Sequence, residues 1–275
     1  MTPRCGPVTL HPLPGLRAPL RLYTHDPAAD LVSARLHAER AWEPFESRLL
    51  LACLAPEAVA LDVGANLGYF ALLFALATAR PQRVVAVEPA ADNFALLSAN
   101  LSLNDCVERV TALPLALAQR DGNGRLHRSA DNLGDHQLHG GDGERRAETV
   151  VLRAGAPLLR EAGLERIDLL KVDTQGAESA VLRGLWPLLE RSADGLRAVV
   201  ELTPWSLRAA GSSGRELVSL LAALELPLAI VDHVAGRVVP HSAEALCRWS
   251  DNVDACPGDR GFMNLFAGTV PPRFR

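Results

Sequence analysis

The feature of this sequence best suited to chemistry is an acid followed by two spaced glycines, set between two apolar runs. In LDVGANLGYF, Asp62 ends a buried strand candidate, and Gly64 and Gly68 follow before an apolar helix. Glycines let a backbone approach a bound molecule, and the start of a helix turns unpaired N–H groups toward it. Further on, Glu88 closes the run VVAVE, with Pro89 and Asn93 beside it. An acid at that place accepts hydrogen bonds from both hydroxyls of a ribose. A dinucleotide fingerprint, G-x-G-x-x-G, would need glycine at 66 and 69, where the chain has Asn66 and Tyr69. Asp62 in front of the turn serves a pyrophosphate poorly and a cationic amino-acid ligand well. S-adenosylmethionine is such a ligand. Two other readings stay open: a nicotinamide-dependent Rossmann enzyme, and a module that binds adenosylmethionine without catalysis.

A second group of candidates lies beyond this turn. KVDTQGAE puts Asp173 just past the fourth strand candidate, at the sheet end where a cofactor's methyl group would sit, so Asp173 is expected beside the acceptor. Its plainer role would be to cap a helix starting near Ala177. SADNLGDHQLHG, 129–140, gathers Asp131, Asn132, Asp135, His136 and His139 in one loop. Loops above a sheet supply substrate contacts, and histidine takes a hydroxyl proton near neutral pH. His136 is the candidate base. Lys171, in a buried strand, needs an anionic partner, and Glu178 a turn into the next helix is expected to be it. Asp173 and Glu201 together offer a cation two carboxylates and no third ligand, so no metal is expected.

These residues need a scaffold, and the chain provides it by alternating short β-branched runs with longer helical patterns, the signature of βαβ units and a parallel sheet. Strands are expected at 59–63, 83–88, 107–115, 167–172, 197–202, 227–232 and 263–268. FALLFALATA is apolar nearly all round, which predicts a helix sandwiched against the sheet. Further helices are expected at 92–104, 177–190 and 213–225. A hairpin through Gly236 gives the sheet an antiparallel end. Residues 30–54 read as two helices broken at Pro44, which predicts an N-terminal helical cap over 1–55 and a Rossmann-like domain over 56–275. The stretch 121–148 is rich in Gly, Asp and His and is expected to be a loop or loose hairpin.

Composition excludes several classes. With 275 residues, 48% hydrophobic and 22% charged, the chain has the balance of a soluble globular protein. A net charge of −4 provides no footprint for nucleic acid. Its five cysteines are scattered without a C-x-x-C pair, which favours a reducing compartment. Prolines stand in the N-terminal stretch where a signal peptide needs an apolar run. The apolar run after Gly68 is too short to span a bilayer. A cytoplasmic protein with no membrane partner is expected.

LDVGANLGYFALL, VVAVEPAADNFALLSANLSLN and IDLLKVDTQGAESAVLRG, taken in order, resemble the FkbM-type family of S-adenosylmethionine-dependent methyltransferases from about Trp42 to Leu202. The resemblance implies a class I methyltransferase sheet, α/β and mostly parallel, with adenosylmethionine over the first two strands. It implies cofactor contacts from Asp62, Gly64, Asn66, Gly68 and Glu88, with Asn93 beside them. It also implies O-methylation of a small-molecule acceptor, a natural product or saccharide, and it favours His136 over His139 because His136 lies nearer the NLG of the loop. The chain departs from the family at Gln175, where many members carry an acid, and at LRAG, 152–155, where many carry Thr-Leu-Asp.

Overall fold

The computed structural model describes residues 6–16, 18–79, 82–129, 132–138, 146–256 and 258–275. Asp131 and His139 lie outside the described residues.

Two short strands, β1 (Val8–Thr9) and β2 (Arg21–Leu22), pair antiparallel ahead of the cap helices α1 (Leu31–Glu39) and α2 (Pro44–Cys53). Asp30 caps α1 by accepting from the Ser33 N–H at 2.8 Å. Pro44 occupies the first position of α2, where its missing N–H costs nothing, so the break between the two helices falls where the sequence predicts it. Alternation then begins: β3 (Ala60–Val63), α3 (Tyr69–Ala77), β4 (Val84–Val87), α4 (Ala91–Leu103) and β5 (Val110–Leu113). A side sheet follows, made of β6 (Ala116–Ala118), β7 (Gly122–His127) and β8 (Ala147–Ala154). The chain returns through α5 (Gly155–Glu161), β9 (Leu169–Val172), α6 (Glu178–Ser192), β10 (Arg197–Leu202), α7 (Pro204–Ala209) and α8 (Gly214–Ala222). It closes with β11 (Leu228–Asp232), β12 (Arg237–Pro240), α9 (Ala243–Ala255) and β13 (Met263–Ala267).

The main sheet has the order β12-β11-β13-β10-β9-β3-β4-β5. It is parallel from β5 to β10, while β13 runs antiparallel to both of its neighbours and β12 antiparallel to β11. Chain order reverses between β3 and β9, and in an open α/β sheet that reversal opens a crevice at the carboxyl ends of the strands. Asp62, Glu88 and Asp173 all stand at that edge.

One apolar cluster fills each face of the sheet. On the first face Phe70, Leu73 and Phe74 of α3 share a cluster with Leu36, Phe45, Leu49 and Leu50 of the cap. This explains why α3 is apolar all round: the sheet covers one side of it and the cap the other. The opposite face packs α5, α6, α8 and α9 on the same strands.

Two expectations need correction. The end of the chain is more helical than its pattern suggests, because α9 stands where no helix is expected; Ser242 caps it, and Leu246, Ser250 and Val253 are its buried stripe. The stretch 121–148 is better ordered than a loose hairpin at both ends, since β7 and β8 pair antiparallel while β6 joins β8 in parallel. No helix among the described residues is long and apolar enough to cross a membrane.

Candidate active site

A cleft of about 530 Å³, partly open to solvent, lies over the carboxyl ends of β3 and β4 and is lined by Gly64, Asn66, Glu88, Asn93, His136 and Asp173. The structure therefore brings together six of the eight residues picked out from sequence. Asp62 and Gly68 stand just outside.

Glu88 organises the cleft. Its Oε2 accepts from the Asn66 N–H and its Oε1 from the Ala90 N–H, both at 2.8 Å, so one carboxylate joins the glycine turn to the start of α4. With the Asn93 side chain also bonded to it, the carboxylate keeps lone-pair capacity for a ligand hydroxyl. Burial pushes this carboxyl up to about 7, against the pull of the two backbone N–H groups.

The packing of the chain itself also requires the glycines. A Cβ on Gly64, at φ +83°, would lie 1.9 Å from the Asp173 carbonyl oxygen; on Gly68, at φ +86°, it would lie 2.4 Å from Leu97 Cδ1. Both are needed for close contact between elements and for a left-handed backbone.

Asp62 is 1% exposed and faces away from the cleft. It is opposite Lys171 in the β3–β9 register. Burial pushes its carboxyl up to about 6, with Lys171 pulling it back, and its Oδ2 has no partner among the described residues. The ammonium of Lys171 pairs with Asp173 Oδ2 at 3.2 Å and stands 4.7 Å from the Phe70 ring centroid. Burial opposes its charge, but the surrounding carboxylates of Asp173, Glu46 and Asp62 outweigh that and hold the proton on. Glu178 is not its partner, contrary to expectation. Instead Glu178 turns back onto its own loop, accepting from the Thr174 N–H at 2.9 Å, the Thr174 hydroxyl at 3.0 Å and the Gly176 N–H.

Gln175 is the functional candidate that sequence reasoning passed over. Held at φ +52°, it donates from Nε2 to Asp173 Oδ1 at 2.8 Å and to Glu201 Oε2 at 2.9 Å. An acid at this position could not bridge two carboxylates. An amide between two acids on adjacent strand ends is the signal that would have found it.

Residues 132–138 form a roof held by the N-terminal segment. The Leu133 N–H donates to Asp30 Oδ1 and its carbonyl accepts from Asn93 Nδ2, both at 2.9 Å, while His25 Nε2 donates to Asn93 Oδ1 at 2.7 Å. Asn93 is thus a clasp as well as a lining residue. His136 lies 9% exposed in this roof. Its Nδ1 accepts from the Ser129 N–H at 3.1 Å, and its Nε2 has no partner among the described residues. Burial pushes the imidazole down to about 4, so near neutral pH the ring is neutral. A backbone N–H only donates, so the single ring proton sits on Nε2. That nitrogen offers a hydrogen bond and cannot receive a proton.

A second cleft of about 490 Å³ shares Gly64, Asn66, Gly134 and Asp173 with the first. Trp42, Tyr69 and Phe70 wall it, with Lys171 beside Asp173.

The strand order, the antiparallel β13 and the crevice above β3 and β4 define a class I methyltransferase fold. The model of the methyltransferase FkbM domain matches residues 62–224, more than half of the chain, and the chain belongs to that family. It is 33% identical over 155 residues to the methyltransferase sdnD of Sordaria araneosa, covering 46% of this chain and 59% of that protein. It is 36% identical over 169 residues to the AMB antimetabolite synthetase AmbE of Pseudomonas aeruginosa, covering 48% of this chain and 8% of that protein. The chain thus spans less than two thirds of either relative. Among solved structures it is similar to the methyltransferase FkbM from Methylobacillus flagellatus, at 12% identity and a TM-score of 0.47, covering 78% of this chain and 44% of that one. S-adenosylmethionine is the family's cofactor, and the residues present fit it: Glu88 keeps an acceptor for a ribose, and His136, with a buried Nε2 that has no partner among the described residues, lines the same cleft.

Proposed function

We propose that this chain transfers a methyl group from S-adenosylmethionine to a hydroxyl oxygen of a small-molecule acceptor, with Asp173 receiving the proton. The observation that carries this reading is the position of Asp173, shared by both clefts, with its carboxylate held by Lys171 on one oxygen and Gln175 on the other. Adenosylmethionine supplies a methyl carbon already activated by its sulfonium. What remains for the protein is alignment and proton removal. Glu88 holds the ribose, the roof shuts out water, and the aromatic walls of the second cleft hold the acceptor's apolar face. Asp173 accepts the hydrogen bond of the acceptor hydroxyl and takes its proton as the oxygen–carbon bond forms. The similarity to an antimetabolite synthetase favours a natural product as acceptor. The test is incubation with adenosylmethionine labelled in its methyl group and a pool of small metabolites. Label should appear in a base-stable ether; label in an amine or thioether would overturn the choice of oxygen.

In the same reading His136 is a donor to the cofactor rather than a base. Replacing it with alanine is expected to weaken adenosylhomocysteine binding by about 0.5–1.5 kcal/mol, one net hydrogen bond, and to leave turnover at saturating cofactor almost unchanged. Calorimetry paired with steady-state rates checks this. A loss of turnover with intact affinity would restore His136 as the base.

Glu88 gives the site a pH dependence. Ribose hydroxyls donate to the ionised carboxylate, so affinity for adenosylhomocysteine is expected to fall as pH drops through about 7. Glu88→Gln should bind more weakly and lose that slope. For the ligand-free protein the sign is opposite: the folded state holds the proton more tightly than the usual 4.5, so this group favours folding below about 4.5 and that contribution is lost as pH rises through about 7.

A further inference from the structure

The cap meets the antiparallel end of the sheet through three side chains that methyl transfer does not use. Glu43 immediately precedes α2, Glu46 lies in its first turn, and His233 sits in the turn between β11 and β12. One ligand-type atom from each lies within 4.8 Å of the other two. Glu46 Oε2 is 3.6 Å from His233 Nε2, and it accepts from Asn264 Nδ2 at 2.6 Å. The second oxygen is the anomaly: Glu46 is 0% exposed, and its Oε1 is buried with no hydrogen-bond partner among the described residues. A buried carboxylate oxygen without a donor is costly, and protonating it leaves an equally buried O–H without an acceptor. A cation held by both oxygens of Glu46 satisfies it.

We propose that Glu43, Glu46 and His233 form a binding site for a divalent first-row transition cation of the Zn²⁺ type, which clamps α2 of the cap to the β11–β12 turn. Donors around one such ion, each about 2.0–2.1 Å from it, lie about 3.3 Å apart in a tetrahedral arrangement. The Glu46–His233 pair is already close to that separation, and the third donor needs to close by about an ångström or so. Two carboxylates and a neutral imidazole around a dication sum to zero charge, and three protein ligands leave one position for water. Asn264 Nδ2 lies beside both donors, 2.6 Å from Glu46 Oε2 and 3.4 Å from His233 Nε2, so its amide has to turn aside for an ion to sit between them. The imidazole favours Zn²⁺ or Co²⁺ over Mg²⁺, which takes oxygen ligands. His233 is 36% exposed, so an ion can enter from solvent.

The test uses the full chain without an affinity tag and Co²⁺ as a visible probe. One saturable equivalent should develop a ligand-field absorption band and raise the melting temperature. Zn²⁺ should displace it, and a similar excess of Mg²⁺ should not. His233→Ala and Glu43→Gln should each weaken Co²⁺ binding by about tenfold to a hundredfold or more, a range that even outer partners command, whereas His241→Ala should leave it unchanged. Adenosylhomocysteine titration of each variant shows that it is folded. Absence of a saturable equivalent in the wild type, equal Co²⁺ affinity in a folded His233→Ala, or displacement by Mg²⁺ would overturn the site.

Discussion

Asp173→Asn should lower methyl transfer by about two to four orders of magnitude, the range for loss of a positioned proton acceptor. Asparagine keeps the shape of the side chain but cannot take the proton. It also removes the anionic partner of Lys171, which then stands buried among Glu46 and Asp62 with its nearest carboxylate gone. Single-turnover rates with saturating labelled adenosylmethionine separate this from a binding effect. Because Asp173 borders the cofactor cleft, a modest loss of adenosylhomocysteine affinity should accompany the loss of rate, but it should be far smaller. A wild-type rate in this variant would move proton removal to another group.

Gly64→Ala is the second change with a large expected effect, and it acts through the backbone. The added Cβ would stand 1.9 Å from the Asp173 carbonyl oxygen, and φ is +83°, where an L side chain costs about 1–2 kcal/mol. Displacing the packed backbone adds about 1–3 kcal/mol. A combined destabilisation of about 2–5 kcal/mol should lower the melting temperature by roughly 4–20 °C, at about 2–4 °C per kcal/mol for a chain of this size. Relief of the clash can come only by pushing the loop after β9 away from β3, which carries Asp173 out of the cleft. Turnover should therefore fall further than thermal stability explains. Gly68→Ala makes a useful comparison, because its Cβ would meet the end of a flexible Leu97 side chain, which can rotate.

Much of this arrangement was legible in the chain. The seven main strands fall within the segments that their β-branched runs mark, and the reversal of strand order places Asp62, Glu88 and Asp173 at one edge, because residues at strand ends are positioned by topology and not by side-chain detail. What the pattern could not give was direction. Asp62 and Val63 are adjacent in β3, and alternation sends the Asp62 carboxylate to the face of Lys171 and α3, out of the cleft that Val63 lines. The need of a buried ammonium for an anion suggested Glu178, a turn into the next helix, for Lys171, but the loop ahead of α6 has N–H groups that compete for the same carboxylate and win. The tautomer of His136 depends on the Ser129 N–H, a backbone group whose orientation is invisible in the residue types. The helix α9 was missed because three of its apolar residues are alanines and its polar ones are spread between the rest, so its buried stripe is thin, and tertiary packing against α8 completes it.

The sharing of one apolar cluster between the cap, α3 and the far strands bears on how far this catalytic unit can be exchanged between proteins. The segment that the family model matches, 62–224, contains the cofactor turn and Asp173 but leaves out α1, α2, β11, β12 and β13. Transplanted alone, it would bare the outer side of α3 where Leu49 and Leu50 pack, open the long edge of β10 where β13 pairs, and cut Asp30 from Leu133. Such a graft would carry the chemistry without the surface that keeps it folded. A transferable unit that keeps this cluster intact has to be cut outside Val8 and Phe274, both buried in it.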